Sequence, residues 1–140
     1  MEDVADDSVP PEVPLEELYA LAAMARRWAE HGRVDDAQAM LEGLLELEPS
    51  RSFLRTSLGC LFMKQGRAEE ALAAFEAALE TDARDVAALT NAGELYLERG
   101  ERERGIALLS AAAEVDHEGT SPHANRARTL RALAAAESGA

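Results

Sequence analysis

Between residues 15 and 31 the apolar side chains Leu18, Leu21, Ala22, Ala25 and Trp28 recur at the spacing of one helical face, and Gly32 ends the pattern. A second helix is predicted over 34–47, with Ala37, Met40, Leu41, Leu44 and Leu45 turned inward and Pro49 forbidding its continuation. Ser50 offers an N-cap hydroxyl to a third helix that runs to Gly66, and residues 68–81 form its partner. Asp85 stands as the cap of a fifth helix ending at Arg99, and residues 102–115 make the sixth. After Gly119, Ser121 and Pro122 start a last helix that runs to about Glu137 with one apolar stripe, Ala127, Leu130, Leu133 and Ala134, and Arg126, Arg128 and Arg131 beside or away from it.

The helices pair, and the pairs repeat. Gly32, Gly66 and Gly100 stand 34 residues apart, and the positions around them correspond. Leu21, Met24-Ala25, Trp28, Ala37, Leu41 and Leu44 align with Arg55, Leu58-Gly59, Phe62, Ala71, Phe75 and Ala78, and these with Leu89, Ala92-Gly93, Tyr96, Gly105, Leu109 and Ala112. The small residues Ala25 with Ala37, Gly59 with Ala71, and Gly93 with Gly105 are expected where the two helices of each hairpin cross, because larger groups would push the axes apart. Gly105 carries a cost of about 1 kcal/mol for glycine inside a helix, offset by that close crossing. Ala127 and Leu130 continue the register one period beyond Gly93 and Tyr96, so the last helix is the first half of a fourth repeat that closes the end of the array.

With this period and these residues at these offsets, the chain resembles the tetratricopeptide repeat family. The resemblance implies an all-α fold: three tetratricopeptide helical hairpins (18–51, 52–85 and 86–119) in a right-handed superhelix, plus a C-terminal capping helix at 120–138. Residues 1–14, acidic and holding Pro10, Pro11 and Pro14, have few side chains worth burying and are read as a disordered tail.

Composition narrows the functions open to such a stack. Net charge is −13, residues 1–17 hold seven acidic groups and no Lys or Arg, and no basic stripe exists to neutralise phosphates, which argues against nucleic acid and anionic membrane. No apolar run is long enough to span a bilayer and no secretory signal precedes the repeats, so no membrane insertion is expected. A single cysteine, Cys60, forms no intrachain disulfide and favours a reducing, cytoplasmic setting. The cluster Asp116, His117, Glu118, His123 lacks metal-ligand spacing and reads as exposed loop, as does His31. With no nucleophile motif and no glycine-rich phosphate loop, the chain is read as a non-enzyme with no cofactor and no metal.

Function then lies in a surface. In a stack of hairpins the first helices line the concave side, and the register assigns to it Tyr19, Ala22, Arg26 and Ala29 from the first hairpin. The second contributes Phe53, Thr56, Cys60, Met63 and Lys64, and the third Ala87, Thr90, Glu94, Leu97 and Glu98. This is a floor for an extended or helical peptide with apolar anchors. Family members that grip the carboxylate tail of heat-shock chaperones use Lys, Asn and Arg on these helices; Ala22, Arg26, Cys60 and Ala87 stand at such positions here, so the resemblance implies a different partner.

Within the family the plan is similar to the bacterial type III secretion chaperones that hold translocator proteins before export. Glu16-Glu17-Leu18-Tyr19, Leu58-Gly59-Cys60 and Gly93–Gly100 carry that likeness. It implies a peptide segment of a secreted client bound in the groove, and brings homodimerisation into view. Two features depart from it: Ala22, Arg26 and Ala29 replace larger apolar groups, and the leading segment is short and proline-rich. The alternative is a scaffold or regulatory subunit of a larger assembly that uses the convex face or the end helix.

Overall fold

The computed structural model describes residues 12–138, all seven of whose elements are helices: α1 Leu15–Glu30, α2 Val34–Leu47, α3 Ser52–Lys64, α4 Ala68–Thr81, α5 Val86–Glu98, α6 Arg102–Val115 and α7 Pro122–Ser138. Residues 1–11, the bulk of the segment read as disordered, lie outside the described residues. Residues 12–14 are placed on the first hairpin: Val13 is half-buried against its core and its N–H donates to Glu48 Oε1 at 3.3 Å.

Helices α1 and α2, α3 and α4, and α5 and α6 form successive hairpins, and each break has the same chemistry. Gly32, Gly66 and Gly100 adopt φ of 86°, 74° and 82°, a left-handed conformation that glycine enters without steric cost. The residue after each glycine donates its N–H back into the helix, Arg33 to Trp28 O at 2.8 Å, Arg67 to Phe62 O at 2.9 Å and Glu101 to Tyr96 O at 2.9 Å. These bonds satisfy carbonyls that the helix end would leave open. An arginine also covers the aromatic of each hairpin, Arg33 over Trp28 at 4.7 Å, Arg67 over Phe62 at 4.4 Å and Arg104 over Tyr96 at 4.3 Å.

The starts are less uniform. Asp85 caps α5, its Oδ1 accepting the Ala88 N–H at 3.0 Å, and Ser121 Oγ accepts the Ala124 N–H at 3.3 Å at the start of α7. Ser50 caps nothing. The residue before α3 is Arg51, without a side-chain cap, and the hydroxyl nearest that end, Ser52, donates instead to Asp85 Oδ2 at 3.0 Å. A long-range carboxylate thus engages the start of α3, which has no side-chain cap of its own.

The core is a seam of three overlapping clusters: Leu18, Leu41, Leu44 and Leu54 across α1–α3, Phe62, Leu72, Phe75 and Tyr96 across α3–α5, and Leu89, Leu109 and Ala127 across α5–α7. The crossings are as tight as the small residues require. A Cβ on Gly105 would stand 2.9 Å from Gly93 O and 2.8 Å from Leu97 Cδ2, and one on Gly93 would stand 3.1 Å from Gly105 O. At Gly59 the obstacle is the Phe75 ring, 2.6 Å from the built Cβ, rather than Ala71.

Gly43 in α2 is the counterexample. Nothing lies within 4 Å of its would-be Cβ, so Gly43→Ala is expected to raise stability by about 0.5–1 kcal/mol, seen as a higher urea midpoint at unchanged slope.

Helix α7 packs through alanine: Ala124, Ala127 and Ala134 are buried and Leu130 is half-buried, whereas Leu133, read into the apolar stripe, is 57% exposed, since no helix among the described residues covers that sector. Its arginines do more than flank the stripe. Arg128 donates to Ala113 O at 2.9 Å and to Asp116 O, placing a cation at the C-terminal end of α6.

The Asp116 carboxylate ties down the turn into α7. It accepts from the Ser121 N–H at 3.0 Å, Thr120 Oγ1 at 2.9 Å and the Thr120 N–H at 3.3 Å, with Arg128 Nη1 at 3.7 Å. The Ser121 bond above all, with those from Thr120 and the Arg128 charge, holds the carboxyl below the usual aspartate range. A lowered folded value means stability that is complete above the unfolded pKa of about 3.9 and is lost as pH falls through the folded value. Urea midpoints followed below about pH 4 should therefore fall faster for the native chain than for Asp116→Asn, which starts lower at neutral pH.

Candidate functional site

Helices α1 and α3 form two walls of a concave cavity of about 580 Å³. From α1 come Tyr19, Ala22, Ala23, Ala25, Arg26 and Ala29, at the turn-by-turn spacing that puts them on one side of that helix. From α3 come Phe53, Thr56, Ser57, Cys60, Leu61 and Lys64, and Ala37 and Leu41 of α2 reach the floor between them. Asp85, Ala87 and His123 close the far side.

The floor is small because its residues are: four alanines of α1 leave the space that larger side chains would fill. Tyr19 and Phe53 face each other across it with ring centroids 4.4 Å apart, tilted by 36°, and Tyr19 is 53% exposed while Phe53 is half-buried. Asp85, also in the lining, holds α3 to the start of α5. Its Oδ2 accepts from Ser52 Oγ at 3.0 Å and from Thr56 Oγ1 at 2.8 Å, while Oδ1 is occupied by the α5 cap. Thr56 is buried, and this bond satisfies its hydroxyl.

Cys60 lies deeper. Burial pushes its thiol up from the ordinary value, only partly countered by the Lys64 charge, and Asn91 Nδ2 donates to its Sγ at 3.5 Å. A protonated thiol in such surroundings is a small apolar side chain, not a nucleophile.

The third hairpin contributes little to the cavity, because α7 lies against it. Thr90 is fully buried and donates to the His123 carbonyl at 3.1 Å; Glu94 pairs with Arg126, which also donates to Asn91 Oδ1 at 3.3 Å. Leu97 covers Gly105 in the hairpin core, Met63 packs against the second core cluster, and Glu98 is exposed outside the cavity.

Of the groove residues assigned from the repeat register, the structure thus brings Tyr19, Ala22, Arg26, Ala29, Phe53, Thr56, Cys60, Lys64 and Ala87 to one cavity, and places Met63, Thr90, Glu94, Leu97 and Glu98 elsewhere. Asp85, Ser57 and His123 join it without having been singled out for it. The signal for His123 was present in the register, since a fourth first-type helix must lie beside α5. Among the described residues no group of three or more His, Cys, Asp or Glu is gathered to hold a metal, and no helix is long and apolar enough to cross a membrane.

Stacked helical hairpins with a concave, largely apolar cleft define the class of helical-repeat proteins that work by contact with other polypeptides. A sequence model of the tetratricopeptide repeat matches residues 62–134, more than half of the chain, and the chain belongs to the tetratricopeptide repeat family. No curated protein sequence matches it.

Its fold is similar to that of the type III secretion translocator chaperone SycD of Yersinia enterocolitica, with a TM-score of 0.77 and 18% identity over 92% of this chain and 90% of that one. It is similar also to PcrH in complex with the chaperone binding region of PopD, with a TM-score of 0.73 and 21% identity over 90% of this chain and 96% of that one; PcrH is a protein of Pseudomonas aeruginosa. The first tetratricopeptide domain of Spaghetti, bound to an HSP90 peptide, superposes with a TM-score of 0.75 at 11% identity, covering 94% of this chain and all of that one.

Proposed function

We propose that this chain is a stoichiometric binding module that holds a peptide segment of a partner protein in its concave groove, most concretely as a cytoplasmic chaperone for a translocator of a type III secretion system. It performs no catalysis. The observation that carries this reading is the cavity between α1 and α3, floored by alanines and flanked by the Tyr19–Phe53 pair, which fits apolar side chains of a peptide. The resemblance to SycD and PcrH supports it, since PcrH takes up the chaperone binding region of PopD and SycD a peptide of YopD.

One observation favours a second reading, a scaffold that docks end-on: Leu133 stands exposed on the outer side of α7. Capture of partners on the native chain and on Tyr19→Asp and Leu133→Asp variants separates the two. The chaperone reading expects one partner at near-equal stoichiometry, aggregation-prone alone, lost with Tyr19→Asp and kept with Leu133→Asp. The reverse pattern, with a folded assembly as partner, moves the function to the end helix.

A further inference from the structure

The groove has two chemically different ends. Where the N-terminal halves of α1 and α3 meet, it presents the rings of Tyr19 and Phe53; Asp85, whose carboxylate is already taken by Ser52, Thr56 and the Ala88 N–H, also lines it. Further along it presents Arg26, two turns beyond Tyr19 on α1, and Lys64, three turns beyond Phe53 on α3. Arg26 has no acidic partner among the described residues. Lys64 Nζ reaches across to Glu30 of α1 at 4.0 Å, with both side chains about half exposed (54% and 49%), a pair of little strength in water. Glu30 is one turn beyond Arg26 on the same helix, so the ammonium group sits at the Arg26 end.

In a chain of net charge −13, two cations facing a concave apolar floor run against the sign of the surface. Both are exposed to solvent, so their attraction for an anion is that of surface charges and is screened by salt. Acceptor groups of a bound peptide are of two kinds, and a carboxylate makes the stronger, charge-assisted bond to guanidinium and ammonium donors.

Resting on the reading of this groove as a peptide site, we propose that its occupant is an extended segment carrying an apolar side chain and a side-chain carboxylate about three residues apart, the first at Tyr19 and Phe53 and the second between Arg26 and Lys64. The spacing follows from the helix. Tyr19 and Arg26 are separated by two turns of α1, about 10.5 Å at 1.5 Å per residue, and an extended chain covers about 3.3 Å per residue. The Asp85 end has a carboxylate and no lining Lys or Arg, whereas at the other end Arg26 and Lys64 outnumber Glu30, and this difference sets the direction in which the segment lies.

The test uses the full chain and capped, labelled decapeptides in a glycine–serine background: a leucine pair with a glutamate three residues on, the same peptide with glutamine for glutamate, and the same with lysine. Anisotropy titrations at low salt should show the glutamate peptide binding roughly 5–10-fold more tightly than the glutamine one, within what charge-assisted pairs supply. The advantage should vanish in an Arg26→Gln, Lys64→Gln double variant, and the lysine peptide should become the preferred one in Arg26→Glu, Lys64→Glu. Circular dichroism verifies that both variants are folded. Loss of binding in a folded Tyr19→Ala variant locates the peptide in the groove.

Equal affinity for the glutamate and glutamine peptides, lost for both in Tyr19→Ala, overturns the carboxylate while the groove remains a peptide site. A glutamate preference that survives both charge variants overturns the assignment to Arg26 and Lys64. Absence of binding by every peptide overturns this inference and the peptide-groove reading together.

Discussion

Gly59→Leu is expected to destabilise the stack by about 3 kcal/mol, the upper end of what overpacking a core ordinarily costs. Even a methyl group at this position would stand 2.6 Å from Phe75 Cε1, 2.8 Å from Cδ1 and 2.9 Å from Cζ. That ring cannot withdraw: Phe75 is fully buried in the cluster that joins α3, α4 and α5, with Ala71, Ala78, Ala88 and Ala92 at 0% exposure around it. Helix propensity works in the opposite direction and favours leucine over glycine by less than about 1 kcal/mol, so packing decides the sign. Urea denaturation reads the loss directly. A double-mutant cycle with Phe75→Ala identifies the cause, since removal of the ring should make the two substitutions together cost less than their sum. An unchanged midpoint in Gly59→Leu would mean that α3 and α4 do not cross here.

The contrast with Gly43 shows what a sequence can and cannot say about glycine. Both lie inside helices and at register positions that are small in every hairpin, Ala25, Gly59 and Gly93 in one case and Gly43, Ala77 and Ala111 in the other; only Gly59 belongs to the small pairs assigned to a helix crossing. The register says that space is short; it does not say what fills it. Ala71 was the neighbour expected from the repeat, and the Phe75 ring, one turn further along α4, is the atom group that would collide. Which side chain closes a crossing depends on rotamers, and rotamers are set by the packing of the whole layer.

Helix positions were legible for a stronger reason. Apolar spacing and glycines at left-handed turns are two independent local signals, and in each hairpin they agree. Ser50 shows where local signals stop: a hydroxyl before a helix is a good cap in isolation, but Asp85, 33 residues after Ser52, draws the third helix's start into a tertiary network that no local rule contains. Leu133 shows the same from the other side. Helical periodicity marks it as apolar-faced, yet burial requires a second surface, and α7 is followed by none among the described residues.

The groove divides along the same line. Positions related by one period behave alike in the first two hairpins, Tyr19 with Phe53, Ala22 with Thr56 and Arg26 with Cys60, because each is backed by a following hairpin. In the third the equivalents Thr90 and Glu94 are taken by α7 through His123 and Arg126, so the same register position becomes structural. A repeat predicts the direction of a side chain from its helix. What stands opposite it changes where the array ends.

On the reading of the groove as a peptide site, Tyr19→Asp is expected to weaken binding of the partner segment by about 30-fold or more, the scale on which loss of an aromatic anchor is felt at an interface, while leaving the urea midpoint nearly unchanged. Tyr19 is 53% exposed on the groove side of α1, so its ring is free to contact a ligand and little of the core rests on it. Aspartate there removes the partner of the Phe53 ring and adds a second negative charge to the end that Asp85 already occupies, leaving an apolar client residue with a hydrated wall to pack against. Phe53→Asp is a poorer probe, because Phe53 is half-buried and also packs against the first core cluster, so its effects on folding and binding are mixed. Titration of a labelled client segment against the native chain and Tyr19→Asp, with unfolding curves for both, separates the cases. Full affinity in the folded variant places the client away from the α1–α3 groove, and loss of affinity with loss of stability makes Tyr19 a part of the fold.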